Sequence, residues 1–274
     1  MSEQQAVEGE SGRASLARTL RFLREKAGIS LGKLAEDTAY DKSYLSRLES
    51  GERLSKLAVM EDLDRYYGSG DLLVTHWKGA RREAFKDQYK EYMRLEATAR
   101  VMWMFQLAVP GLLQTEDFAR EVLSADQTTS LNSEKVEEDV AARIGRQELL
   151  YRDPPPSIRI ILDEGALRRV AREPLVWENQ LSRLVEAAEQ PSIALQVLPL
   201  AAGLHSLMGS HVSLLWQRTG DPVAYVEGNG VGELIEEPDR VLGYRLSYDR
   251  VRDMALPPLE SAAFIRGVLK EHRS

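Results

Sequence analysis

The chain has 274 residues, of which 43% are hydrophobic and 29% charged, and its formal net charge is −7. This composition is typical of a globular protein that is long enough for two domains. The absence of cysteine excludes disulfides, thiolate zinc sites and a cysteine nucleophile. The first ten residues carry three acids and no base, and no apolar run approaches about 18 residues. We therefore expect a cytoplasmic protein with no signal peptide and no membrane span.

The N-terminal quarter of the chain has the pattern of several short helices. Residues 1–14 are small and polar, which is typical of a disordered tail. Apolar residues then recur at helical spacing, Gly28 can end the first helix, and Ser30 and Asp41 can cap the second and third. Two further helices follow. The sequence predicts a five-helix domain over residues 15–75.

The remaining chain, 76–274, is predicted to be a second domain that is helical over 76–152 and mixed α/β over 153–274. The stretch from Arg81 to Leu107 lacks glycine and proline and has a helical composition, and a polar loop is expected from Ala125 to Ser133. Runs typical of strands are Ser157–Leu162, Ile193–Leu198, His211–Trp216, Val223–Glu227 and Val231–Ile235.

Two of these features predict strand pairing. A helical stretch between the first two strands favours a parallel pair, and Asn229-Gly230 favours a hairpin between the last two. The predicted fold class is therefore mainly α with an α/β part. It has a five-helix N-terminal domain and a C-terminal domain of helices plus a mixed sheet of about five strands.

The second and third helices form the pattern of a helix-turn-helix, in which the later helix enters the major groove of DNA. Such a helix needs an apolar inner face and a polar outer face. The inner face is supplied by Leu34, Ala35, Leu45 and Leu48. The outer face is supplied by Lys42, Ser43, Ser46 and Arg47, whose side chains can hydrogen-bond to base edges. Amide groups near Ser30 and Asp41, at the helix starts, can meet phosphates.

The segment LRFLREKAGISLGKLAEDTAYDKSYLSRLESGER resembles the XRE class of helix-turn-helix regulators. The resemblance implies base contacts by Lys42, Ser43 and Arg47, with Ser46 beside them. It implies phosphate contacts by Ser50, Arg53 and Lys56, to which we add Ser30. It also implies a structural ion pair between Arg24 and Glu49. Leu31 and Glu52 depart from the class, which often has glutamine and a base at these positions.

Six later motifs resemble the WhiJ-type regulators of sporulating filamentous bacteria, sometimes described as antitoxin-like. They are VPGLLQTEDFAR, AARIGRQELL, ILDEGALRR, NQLSRLVEAA, IALQVLPLAAGLH and ALPPLESAAFI, in this order. The resemblance implies control of developmental or antibiotic genes and a small BldB-like partner protein. By default for this class we expect a repressor that binds its operator as a homodimer, without a cofactor.

Two alternatives remain open. Instead of a regulator, the chain could be an antitoxin-like protein that mainly sequesters a small partner and binds DNA for autoregulation. It could also be an enzyme that carries a DNA-binding domain. The enzyme reading lacks support, because each candidate catalytic group has a simpler interpretation. His205 and His211 lie in a glycine-rich stretch without a third metal ligand, and Asp163-Glu164 is better explained as a helix cap. Gly228–Glu233 has the spacing of a turn rather than a phosphate-binding loop.

One apolar run, Val101–Phe105, allows three interpretations. It can belong to the core, line a ligand pocket, or form a seam between subunits. Burial in the core is the usual fate of such residues, and we expect it here.

Overall fold

The computed structural model describes residues 11–125, 133–228 and 231–273, apart from the side chains of 82, 84–87 and 231. The chain divides into two compact units, the first ending at Gln88 and the second beginning at Tyr89. None of the helices in these described ranges combines the length and apolar character that a bilayer crossing requires.

The first unit is built from five helices, as predicted. They are α1 (Gly12–Lys26), α2 (Leu31–Thr38), α3 (Lys42–Glu49), α4 (Leu57–Tyr67) and α5 (Leu72–Thr98), the last of which continues into the second unit. Apolar residues at helical spacing converge on one core, in which Leu20, Leu45, Met60 and Leu63 are almost fully buried. Burial of each such side chain stabilises the fold by roughly 1.5–3 kcal/mol, so the core rather than helix propensity holds these short helices together.

The N-terminal boundary differs from the prediction. Ser11 caps α1 through a hydrogen bond from the Ala14 amide, so Gly12–Ala14 form its first turn rather than part of a tail. The rest of the predicted tail, residues 1–10, lies outside the described residues, as do 126–132 of the predicted polar loop.

The second unit contains six strands and six helices among its described residues after α5. The strands are β1 (Val101–Gln106), β2 (Ser157–Asp163), β3 (Ile193–Leu198), β4 (His211–Trp216), β5 (Val223–Gly228) and β6 (Val231–Ile235). The helices are α6 (Glu116–Ala125), α7 (Ser133–Gly145), α8 (Glu164–Arg168), α9 (Pro174–Ala188), α10 (Pro238–Met254) and α11 (Pro258–His272), with short 3-10 turns at Gly111–Leu113, Arg146–Tyr151 and Leu200–Ala202.

The strands form one mixed sheet in the order β3-β2-β1-β4-β5-β6. Strands β1, β2 and β3 are parallel, whereas β4, β5 and β6 are antiparallel to their neighbours. The predicted parallel pair and the predicted pairing of the last two strands are both confirmed. Gly228 pairs with Val231, and the Asn229-Gly230 turn itself lies outside the described residues.

Strand β1 corrects the prediction in two respects. The segment was expected to be helical, and the sheet was expected to have about five strands. Instead, α5 ends at Thr98 and Val101–Gln106 forms a sixth strand at the centre of the sheet. Composition was misleading here because both faces of this strand are covered. Met102 and Met104 are buried in one core and Phe105 in the other, so no polar residue alternates with them.

Each face of the sheet carries its own core. On one side α9 and α11 pack against the sheet through residues such as Trp177, Leu184 and Ile265. On the other side α10 packs through Val241, Tyr248 and Val251. The expectation that the run Val101–Phe105 belongs to the core is confirmed for its buried members, while Trp103 is only half-buried.

Candidate nucleic-acid interface

The turn between α2 and α3 is fixed by a cap on each helix. The Ser30 hydroxyl accepts a hydrogen bond from the Lys33 amide (3.1 Å), and the Asp41 carboxylate accepts one from the Tyr44 amide (2.9 Å). Both caps were predicted and are confirmed. Hydrogen bonds from the Ser43 hydroxyl and the Tyr44 amide lower the pKa of Asp41, so this carboxylate is charged at neutral pH, which suits the start of a helix.

The turn itself uses a conformation that the sequence did not indicate. Ala39 follows α2 with a φ of 57°, in the left-handed region. Glycine is the usual residue there because a Cβ atom is disfavoured in that region. The next residue, Tyr40, donates a hydrogen bond to Asp62 of α4 (2.6 Å), which raises the pKa of Tyr40 to about 12. Tyr66 of α4 likewise donates to Asp37 of α2 (2.7 Å), so α4 holds both the turn and the helix before it.

Helix α3 has one buried face and one exposed face. Leu45 and Leu48 are buried in the core of the first unit. The four residues proposed to contact bases are all exposed and lie on the opposite side of the helix; they are Lys42, Ser43, Ser46 and Arg47. Only weak contacts restrain the longest of them, since the Arg47 Nε lies 3.4 Å from the Ser43 carbonyl oxygen. The side chains on this surface are therefore available for hydrogen bonds to a ligand.

An ion pair connects α1 to the end of α3. The guanidinium of Arg24 donates to both carboxylate oxygens of Glu49, from Nε at 2.8 Å and from Nη2 at 2.9 Å. A third bond runs from Arg24 to the Ile29 carbonyl oxygen at 3.2 Å, in the connection to α2. The Glu49 side chain is only 7% exposed and that of Arg24 15%. The pair therefore lies on the inner side of α3 and fixes the helix from behind.

The residues expected to contact phosphate lie around the ends of these helices and are exposed. Ser30 begins α2, and Ser50 follows α3 with its hydroxyl bonded to the Arg47 carbonyl oxygen (3.2 Å). The Arg53 guanidinium lies 5.3 Å from the ring centroid of Tyr44 on α3. Lys56 precedes the first turn of α4 and makes no capping bond through its side chain. Polar and basic groups thus border the outer face of α3.

Two arginines of α1 extend this basic border, and sequence reasoning missed them. Arg13 donates to the Glu52 carbonyl oxygen (2.7 Å), and Arg21 donates to the Glu49 carbonyl oxygen (3.3 Å). Both bonds reach backbone groups just at or after the end of α3. No local pattern signals them, because 39 and 28 residues separate the partners along the chain.

The two departures from the XRE pattern have structural explanations. Leu31 is partly buried and packs against the core of the first unit, so it stabilises the domain instead of facing solvent. Glu52 is exposed, and its carbonyl oxygen binds Arg13, which brings a positive charge to this position from another helix.

The candidate catalytic groups of the second unit are engaged structurally. Asp163 caps α8 through a hydrogen bond from the Gly165 amide (2.7 Å), as expected, and Glu164 pairs with Arg168 at 3.0 Å. His211 contacts the Gln106 side chain (3.0 Å), and the ring of His205 packs edge-on against Phe105. Within the described part of the chain, no three acidic or histidine side chains converge in a way that could hold a metal ion.

Comparison with known families assigns both units. Residues 15–77 match a family described as a helix-turn-helix domain, which covers α2 and α3. Residues 89–267 match a family described as a domain of unknown function (DUF5753), which covers more than half of the chain. The chain belongs to the DUF5753 family. In this member the family domain contains the whole six-stranded sheet and α10, and a helix-turn-helix domain precedes it. No curated protein and no solved structure matches the chain.

Proposed function

We propose that this chain is a sequence-specific transcriptional regulator that inserts α3 into the major groove of DNA. The observation that carries the proposal is the exposed polar face of α3, which is held in place from behind by the Arg24–Glu49 ion pair. Rigid support matters because a recognition helix discriminates bases only if its side chains reach them in a fixed register. The helix-turn-helix family match gives independent support for DNA binding.

In the proposed complex, the α3 residues read base edges and the border residues bind the DNA backbone. Arg47 and Lys42 suit the acceptor atoms of guanine, and the hydroxyls of Ser43 and Ser46 can donate or accept. Phosphate contacts come from Ser30, Ser50, Arg53 and Lys56. We add Arg13 and Arg21 as sources of positive potential, because the net charge of −7 means that attraction to DNA must be local.

Residues 15–75 serve as the DNA-binding domain in this proposal, and residues 76–274 as the regulatory domain. The regulatory domain would adjust operator affinity in response to a small BldB-like protein or, as a less favoured option, a small ligand. The resemblance of six motifs to WhiJ-type regulators supports this assignment, and all six lie within residues 89–267. The protein would act in the cytoplasm as a homodimeric repressor, and neither domain is given a catalytic role or a cofactor.

The test is the recovery of DNA from a random duplex pool by the purified full-length chain, followed by sequencing. We expect one sequence to be enriched, with two half-sites about one helical turn apart. The Arg47→Ala variant should bind the recovered site about 5- to 150-fold more weakly, which corresponds to a loss of roughly 1–3 kcal/mol.

A matched control is Arg65→Ala, because Arg65 is also an exposed arginine of the first unit but lies on α4 and pairs with Asp62 at 3.0 Å. Its affinity should stay within about twofold of the parent chain, as a surface substitution outside the interface usually does. Recovery of no preferred sequence would refute the proposal. If the chain instead sequesters a toxic partner without any preferred DNA site, the antitoxin-like interpretation replaces it.

A further inference from the structure

Helix α10 presents an apolar strip away from its own core. Its inner face packs on the sheet through Val241, Tyr248 and Val251, which are almost fully buried. On the opposite side Leu242 and Leu246 stand one helical turn apart with half of each side chain exposed, 50% and 53%. Leucines four residues apart on a helix share one face, so the two form a continuous apolar surface. The strip is apolar area that a second molecule can cover.

Charged residues border this strip in a particular order. Asp239 lies three residues before Leu242, and Arg250 lies four residues after Leu246, so all four residues share the outward face. Neither Asp239 nor Arg250 has an ion-pair partner among the described residues. The other three arginines of α10 are engaged. Arg240 pairs with Glu233 at 2.8 Å, Arg252 pairs with Asp249 at 2.9 Å, and the Arg245 guanidinium lies 5.6 Å from the ring centroid of Trp103.

The order of residues along this face is therefore acid, leucine, leucine, base. Two such faces packed in opposite directions complement each other, because the acid of each helix then meets the base of the other and the leucines meet in the middle. A surface that complements itself in this way fits a two-fold symmetric dimer, in which residue i contacts j and j contacts i. We propose that the outward face of α10 binds the same face of a second copy of this chain in antiparallel orientation.

Gly243 fits the same arrangement. It lies beside the leucines in the middle of α10, where glycine costs roughly 0.5–1 kcal/mol relative to alanine. Packing among the described residues does not explain the glycine, since apart from its own stretch of helix no atom there lies within 4 Å of an added Cβ atom. A close approach of two helices at this point gives the glycine a role. The helix dipole alone would favour Asp239 and Arg250 near their respective ends, but it explains neither the leucines nor the glycine.

A second segment that packs on the same core as α10 also exposes apolar side chains. The segment between β3 and β4 packs on the same core through Leu207 and leaves Leu200, Leu204 and Met208 exposed. These side chains offer additional apolar area on the same side of the sheet. A helix pair alone is narrow for a stable interface, which usually buries about 1,200 Å² or more in total. We therefore include this segment in the proposed dimer surface.

The inference rests on the homodimer of the proposed function and names the surface that joins its two copies. It is measured without DNA, so a monomeric chain would remove this surface and the two-half-site arrangement. The reading of bases by α3 is tested separately, by the recovery of a preferred DNA sequence. The experiment is sedimentation velocity on the full-length chain across a wide concentration range. We expect a reversible dimer. Leu246→Glu should raise the dimer dissociation constant at least about 100-fold, because it places two carboxylates in the apolar centre.

A charge exchange gives the sharper test. Asp239→Arg alone and Arg250→Asp alone should each raise the dissociation constant by about tenfold, since each puts like charges opposite one another at two symmetric places. The double variant should restore the parent value to within about threefold. Arg218→Asp, a charge reversal at an exposed loop position outside α10, is the control and should leave it unchanged.

Circular dichroism of every variant distinguishes a lost dimer from a lost fold, and the charge variants remain decisive if Leu246→Glu does not fold. A parent chain that stays monomeric at every concentration overturns the inference. The inference is also overturned if the Leu246→Glu variant is folded and still forms the dimer. It is overturned as well if the double charge variant does not recover the dissociation constant of the parent chain. Binding of a different protein to this face of a monomeric chain would also overturn it.

Discussion

Replacing Glu49 by alanine removes the acceptor of two hydrogen bonds from Arg24, at 2.8 and 2.9 Å. The guanidinium behind α3 then keeps only the exposed carboxylate of Glu25, at 3.9 Å, as a counter-charge. The remaining bond of Arg24 to the Ile29 carbonyl oxygen, at 3.2 Å, replaces only part of what is lost. Because the arginine is 15% exposed, water reaches it only in part. The variant should therefore be strongly destabilised in the first unit.

The size of the effect follows from the burial of the pair. Removing one partner of a buried ion pair costs about 3–5 kcal/mol, and the partial exposure of Arg24 places this site at the lower end, about 3 kcal/mol. Replacing both partners by apolar residues of similar size, Arg24→Met with Glu49→Leu, should cost about 1 kcal/mol or less, because no unpaired charge remains. The difference between the single and double variants separates the loss of a charge partner from the loss of packing.

Native-state hydrogen exchange of the full-length chain, read by mass spectrometry, measures this directly. In Glu49→Ala the slowest amides of α1 and α3 should exchange about 100-fold faster, which corresponds to about 3 kcal/mol. Peptides from α9, in the second unit, provide the internal reference and should not change. Glu52→Ala removes an exposed acid three residues further on and should alter exchange by less than about threefold. An equally small effect of Glu49→Ala would contradict the supporting role given to the pair.

Three further predictions concern stability. Asp64 is 4% exposed and accepts hydrogen bonds from the Leu73 and Val74 amides, both at 3.0 Å. Asp64→Ala leaves these buried amides without an acceptor, so it should lower the free energy of unfolding of the first unit by about 3 kcal/mol in the same exchange experiment. Ala39→Gly should raise the free energy of unfolding of the first unit by about 1 kcal/mol, because the left-handed φ of 57° costs alanine more than glycine. An unchanged free energy would mean that the turn is not strained. Burial raises the pKa of Glu227 above its ordinary 4.5, which two nearby arginines offset only in part. The folded chain therefore holds this proton to higher pH than the unfolded chain does, and stability falls as pH rises through the folded pKa. Glu227→Gln should thus be more stable than the parent chain at pH 7 and equally stable at pH 4, as measured by urea unfolding followed by tryptophan fluorescence. A variant that is less stable than the parent at pH 7 would refute this prediction.

Features with a local cause were predictable from the sequence. The caps of α2 and α3 depend on Ser30 and Asp41 and on amides within three residues, so the pattern contains all the necessary information. The outer face of α3 follows from helical spacing around Leu45 and Leu48. The strands β2 to β6 were recognisable because turn-forming residues separate short runs of β-branched and apolar residues.

Features with a distant cause were not predictable. The burial of Asp64 depends on amides nine and ten residues away at the start of α5, and the contact of Arg21 with the end of α3 depends on helix packing. Strand β1 was mistaken for helix because its neighbours cover both faces, which removes the polar alternation that identifies a strand. The positive φ of Ala39 has no sequence signal, since glycine is the residue that normally marks it.

The central claim is that α3 reads bases while residues around it bind phosphate, and one comparison separates the two roles. The full-length chain, Arg47→Ala and Lys56→Ala are titrated against the preferred site and against every single-base variant of it, at several salt concentrations. Arg47→Ala should lose discrimination at one base position in each half-site. Lys56→Ala should bind all sequences more weakly by a similar factor and reduce the slope of log affinity against log salt by about one. Equal discrimination by the parent chain and Arg47→Ala at every position would contradict the claim.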